Sequence, residues 1–102
     1  MMVSIRYFEG CPHWELARER LWSAVEQARI GGDVNLEIVE TEAQAERLRF
    51  RGSPTVLIDG VDPFPDETAP SGMSCRVYKT ERGLEGSPSE EQLVAALTRS
   101  RR

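Results

Sequence analysis

The sequence predicts one α/β domain over residues 1–102, ordered strand, helix, strand, helix, strand, strand, helix around a four-stranded mixed sheet. Three observations carry that prediction. Apolar residues alternate at Val3, Ile5 and Tyr7 and again at Val34, Leu36 and Ile38; between these runs they recur at three- and four-residue steps; and a late Ser87-Pro88-Ser89-Glu90 opens another helical pattern.

The first strand runs from Val3 to Phe8 and ends at Glu9-Gly10. Cys11 then stands where an N-cap would, and Pro12 takes the first helical position, where its missing N–H costs nothing. Trp14, Ala17, Leu21, Ala24, Val25 and Ala28 form one apolar stripe of a helix reaching Ile30, with Gly31-Gly32 as its stop. Val34 to Ile38 is a second strand, which completes a βαβ unit. Thr41 with Gln44 forms a capping-box pattern for a short helix through Ala45, Leu48 and Phe50, ending at Gly52. Thr55 to Ile58 is a third strand, entered through Ser53-Pro54 and left through Asp59-Gly60.

Val61 to Gly72, with Pro63, Pro65, Pro70 and acids that include Asp66 and Glu67, reads as a long exposed loop whose spacing does not match a calcium loop. Met73, Cys75 and Val77 alternate with Ser74, Arg76 and Tyr78, which predicts a fourth strand antiparallel to the third. Lys79 to Gly86 turns, and the last helix opens at Ser87-Pro88-Ser89-Glu90 and runs through Leu93, Val94 and Leu97.

Composition narrows the partners. Hydrophobic residues make up 39% and charged residues 29% of the chain, ordinary globular usage rather than that of a disordered chain. The net charge is −4, and the only basic cluster is Arg99-Ser100-Arg101-Arg102, which argues against nucleic acid as a partner. No stretch approaches the ~18 consecutive apolar residues of a membrane span, and Met1 to Arg6 lacks the pattern of an export signal. The expectation is a cytoplasmic protein, a monomer or weak dimer, that does not engage membranes. In that compartment Cys11 and Cys75 are expected as reduced thiols. One histidine and two separated cysteines make no structural zinc set, so no metal and no cofactor are expected.

A cysteine where the first strand meets the first helix is the feature with chemistry in it. The positive end of the helix dipole and the free N–H groups there stabilise a thiolate, drawing its pKa from ~8.5 toward ~7. Gly10-Cys11-Pro12-His13-Trp14 after the first strand, Gly52-Ser53-Pro54-Thr55 before the third, and the element order together resemble the thioredoxin and glutaredoxin superfamily. A closer resemblance, carried by Tyr7 to Pro12, Leu48 to Thr55 and Cys75-Arg76-Val77-Tyr78, is to small bacterial thioredoxin-like proteins, some labelled alkylmercury lyase.

The resemblance implies an exposed Cys11 as the attacking thiol, with His13 tuning it. It further implies a cis Pro54, and that Pro12, Trp14, Ser53, Pro54 and Thr55 shape a strand-like edge for a thiol or disulfide substrate, protein or low-molecular-weight. Trp14 stands where a dithiol oxidoreductase has its second cysteine. That departure points to a monothiol cycle through a mixed disulfide. Cys75, at alternating strand spacing, reads as a small core hydrophobe, with a second, resolving thiol as the alternative. Two other functions fit the same residues: a non-enzymatic binding module on this fold, and capture of a soft metal such as mercury by Cys11, with or without Cys75.

Overall fold

A computed structural model describes residues 1–66 and 69–101; the expected loop positions Glu67 and Thr68 and the last basic residue, Arg102, lie outside the described residues. The elements are β1 (Val3–Tyr7), α1 (Trp14–Gln27), β2 (Val34–Ile38), α2 (Glu42–Arg47), β3 (Thr55–Ile58), β4 (Tyr78–Thr80), β5 (Gly83–Glu85) and α3 (Glu90–Ser100). The architecture is α/β. A mixed three-stranded sheet is ordered β2-β1-β3, with β1 parallel to β2 and antiparallel to β3, and β4 and β5 form a separate antiparallel hairpin.

Period-2 geometry divides the sheet into two faces. Val3, Ile5, Val56 and Ile58 face Ala17, Leu21, Ala24, Val25 and Ala28 of α1 and Leu93, Ala96 and Leu97 of α3 in one buried core. Removing a fully buried side chain such as Leu21 would cost about 2–5 kcal/mol. On the opposite face Arg6 pairs with Glu37 at 2.9 Å. Beyond it Val39, Ala45 and Phe50 pack with Phe8, Leu48 and Met73 around α2. Among the described residues no helix is long and apolar enough to cross a membrane.

Helix termini follow local chemistry, with shifts from the sequence reading. Thr41 caps α2 as expected, its Oγ1 accepting from Gln44 N–H at 3.0 Å while Gln44 Oε1 accepts from Glu40 N–H at 2.9 Å. The α3 capping box is Ser89 with Gln92, two positions later than Ser87 with Glu90. Ser87 is committed elsewhere: Arg20 donates to the Ser87 and Pro88 carbonyls, and Ser87 Oγ donates to the Pro88 carbonyl. α1 stops before Gly31, because Arg29 adopts φ 57° and the Ile30 N–H closes back on the Val25 carbonyl at 3.0 Å.

The fourth strand is where expectation and structure differ most. Of the run Met73–Tyr78 only Tyr78 belongs to a strand, β4, and its partner is β5. The outer edge of β3 is already used: Val61 exchanges both backbone hydrogen bonds with Ile58, and the Tyr78 hydroxyl donates to the Pro54 carbonyl. The segment instead meets the chain at a single parallel bridge, Ser53 with Cys75.

Candidate functional site

Cys11 closes a tight turn off the end of β1, its N–H donating to the Phe8 carbonyl at 3.1 Å. The helix does not begin there. His13 is the N-cap, without a side-chain capping bond, and Cys11 lies two residues before it. Cys11 is 5% exposed, which corrects the expectation of an open sulfur. Pro12 and His13 are exposed. Trp14 stacks on Tyr7, with ring centroids 4.2 Å apart, and carries the Arg18 guanidinium on its ring.

The edge expected to receive a substrate is occupied by the chain itself. The Ser53 N–H donates to the Ser74 carbonyl at 2.8 Å, and the Arg76 N–H donates to the Ser53 carbonyl at 2.9 Å. Ser53, Pro54 and Thr55 are all buried, and the Ser53–Pro54 peptide bond is cis. Ser53 Oγ accepts from the Phe8 N–H at 3.3 Å. Thr55 Oγ1 donates to the Gly52 carbonyl at 2.7 Å. Gly52 makes the approach possible: its φ is +118°, and a Cβ there would come within 2.9 Å of the Arg76 Cβ.

What holds the segment down is Arg76, whose side chain is only 4% exposed. Its guanidinium pairs with Asp62 at 2.7 Å, donates to Thr55 Oγ1 and the Phe64 carbonyl, and lies 4.6 Å from the centre of the Tyr78 ring. Tyr78 is buried in turn. Burial pushes its phenol far above the ordinary tyrosine range, against the pull of Arg76 and with a push from Asp62 and from the Cys11 sulfur. The phenol therefore stays a hydrogen-bond donor to Pro54, and Cys11 is close enough to be felt there.

With Arg76 and Tyr78 turned inward, Cys75 and Val77 turn outward. Cys75 is exposed, which corrects its reading as core. It opens into a cleft of about 540 Å³ lined by His13, Leu16, Cys75, Arg76, Val77, Leu84, Glu85 and Gly86. His13 lies flush on Gly86, where a Cβ would overlap its ring.

Partners across a strand bridge place their side chains on one face. Cys75 thus points to the side of Ser53 Oγ, which is also the side of the Phe8–Cys11 turn. The structure brings Ser53, Pro54, Cys75 and Tyr78 together, and Cys11 lies in the turn whose Phe8 N–H donates to Ser53 Oγ. His13 joins them through the cleft, whereas Trp14 belongs to the Tyr7 stack. Arg76 and Gly52 escaped the sequence reading as determinants of the site. The available signal is an arginine between Cys75 and Val77, two residues before Tyr78. Comparison with protein-family models, with curated proteins and with solved structures finds no match.

Proposed function

We propose that this chain is a thioredoxin-like thiol-disulfide oxidoreductase in which Cys75 is the attacking thiol and Cys11 the buried thiol that resolves it. The observation that supports the reading is the Ser53 bridge: Ser53 pairs with Cys75, and its Oγ accepts from the Phe8 N–H at the start of the turn that carries Cys11. The β2-β1-β3 order, with a parallel pair and an antiparallel third strand, supports the thioredoxin-like architecture, although β4 and β5 form a separate hairpin rather than a fourth strand of the sheet. Exposure assigns the two roles, since an attacking sulfur needs access and a resolving one needs only reach.

In the reaction the Cys75 thiolate attacks a substrate disulfide R–S–S–R′. A Cys75–R mixed disulfide forms and R′–S⁻ leaves. Deprotonated Cys11 then attacks the Cys75 sulfur, forming the Cys11–Cys75 bond and releasing R–S⁻. The substrate gains two electrons and the cysteine pair loses them, to be reset by a second dithiol. Closure requires Cα atoms within about 7 Å, the reach of a disulfide. The partners are then protein or low-molecular-weight thiols and disulfides, as expected of a cytoplasmic enzyme. This replaces the monothiol cycle through Cys11.

The test is equilibration with 2-hydroxyethyl disulfide and 2-mercaptoethanol, a monothiol couple that cannot cyclise, followed by intact-mass and peptide mapping. The wild type should lose two hydrogens through an 11–75 link; Cys11→Ser should accumulate a mixed disulfide on Cys75; Cys75→Ser should do neither. A wild type that stays reduced while Cys75→Ser reacts with disulfides as fast as the parent sinks the proposal. Survival of partner capture in the double variant would favour the binding-module reading instead. Closure of the same pair would also suit soft-metal capture, with one mercuric ion per chain lost on either cysteine substitution as its signature.

A further inference from the structure

Around Cys75 the structure offers more than a thiol. Ser53 bonds to the residues on either side of Cys75, so in a parallel pairing the Cys75 N–H and C=O point to the opposite edge. Among the described residues neither of those groups, nor the Val77 N–H and C=O, has a hydrogen-bond partner. An exposed thiol therefore sits on a free strand edge.

That edge runs beside an apolar wall. Val77 is 60% exposed, Leu84 76% and Leu16 37%, and all three line the cleft into which Cys75 opens. Large aliphatic side chains gathered around one opening are what a partner covers, whereas scattered ones need no explanation. The charges point the same way. Arg76 is turned into the protein onto Asp62, Thr55 and the Phe64 carbonyl. Arg20 and Arg82, the cations beside the cleft, are both paired to Glu85. Among the described residues that line or flank the cleft, His13 is the one basic side chain not paired to a carboxylate, and Glu85, held anionic chiefly by hydrogen bonds from Arg20, repels the carboxylates of an anionic thiol.

We propose that the substrate of this site is an extended peptide segment that pairs with the free edge at Cys75–Val77 and sets a large apolar side chain, next to its own cystine sulfur, against Leu16, Val77 and Leu84. Small anionic thiols of the carboxylate-rich tripeptide class are poor partners. This inference rests on Cys75 being the attacking thiol. Backbone pairing supplies the alignment and the apolar contact supplies the selectivity.

The experiment uses the full-length chain and short capped peptides carrying one cysteine as its 2-thiopyridyl disulfide, flanked by leucines, glycines or glutamates. Attack by Cys75 forms the Cys75–peptide disulfide, breaks the peptide–pyridyl bond and releases thiopyridone, read by absorbance, so the leaving group is constant. Partial burial of one aliphatic side chain predicts a rate on the order of tenfold higher for the leucine peptide than for the glycine peptide, with the glutamate peptide slowest. Leu84→Ser and Val77→Ser should each shrink the leucine preference, while Leu36→Ser, on the distant β2 surface, should leave it intact. N-methylation of the amide beside the leucine should slow the reaction.

Equal leucine and glycine rates, or a preference that survives both wall variants, overturn the apolar selectivity; an N-methylated peptide as fast as its parent overturns the edge pairing. Rapid release by Cys75→Ser from every peptide would instead strike the thiol assignment itself, so the two failures are separable.

Discussion

Cys11 and Cys75 are both linked to Ser53, Cys11 through the Phe8 turn and Cys75 through the backbone bridge, yet one is closed off and the other open to solvent. Cys11 sits in a turn closed by its own N–H on the Phe8 carbonyl, and the Phe8 N–H in turn donates to Ser53 Oγ. Cys75 sits in an extended stretch whose neighbours have taken the interior. From Cys75 to Thr80 burial alternates strictly, with Arg76, Tyr78 and Thr80 inside and Cys75, Val77 and Lys79 outside. Side-chain direction in such a stretch is a collective property. Once Arg76 finds Asp62, Thr55, the Phe64 carbonyl and the Tyr78 ring, its neighbours must face water.

The sharpest way to break this contrast is to remove the anchor. Arg76→Ala takes a cation from a partly buried pair and strips hydrogen bonds from Thr55 and Phe64, a change that should cost about 3 kcal/mol. Urea unfolding followed by tryptophan fluorescence measures it. The same variant should release the Ser53 edge, so Cys11 should become open to iodoacetamide in the native protein. In the wild type Cys75 should label on the order of 100-fold faster than Cys11, the buried sulfur reacting only through local opening. Equal labelling rates in the wild type would erase the distinction between the two thiols.

This contrast also explains how far the sequence could be read. β1, β3 and the stripe of α1 are legible because Val, Ile, Leu and Ala at those periods have only one favourable place to go, and β2 is legible as a strand although its Leu36 and Ile38 stay exposed. The same rule applied to Cys75 and Val77 selects the wrong face. Hydropathy treats an arginine as outward-facing, and nothing local reveals that Asp62 and Phe64 wait across a proline-rich loop to satisfy it. The cysteine turn and the Ser53-Pro54 bend were visible as motifs, whereas their accessibility was not. The Ser53 edge is covered by residues 74–76, a segment more than twenty residues downstream.

A smaller perturbation acts on the approach rather than the anchor. At Gly52 a side chain must tolerate φ +118° and a Cβ only 2.9 Å from that of Arg76. Gly52→Ala should therefore cost about 2 kcal/mol and push residues 74–76 off Ser53. Amide hydrogen exchange at Ser53 and Arg76 reports the bridge directly. Protection retained at both amides, with unchanged stability, would show that the segment is held without the close approach, and that Arg76 alone sets which cysteine faces out.

The mildest test concerns the frame of the open cysteine. Glu85 lines the Cys75 cleft, and Arg20 ties it from α1 with contacts of 3.2 and 3.4 Å. Hydrogen bonds from Arg20, then from Thr80, hold the Glu85 carboxyl below the ordinary glutamate range. Because the folded-state pKa is depressed, its stabilising contribution is present above the unfolded value and is lost as pH falls through the folded one. The loss belongs below about pH 4.3. Glu85→Gln keeps the shape and removes the charge, so its urea midpoint should lie slightly below the wild-type midpoint at about pH 6 and converge with it by about pH 3. A gap that stays constant across that range would mean the carboxylate charge contributes nothing to the frame. Cys11 lies outside this ion pair, so its protection from labelling should be the same in Glu85→Gln as in the wild type at every pH. Any matching change at Cys11 would show that the two thiol environments move as one unit.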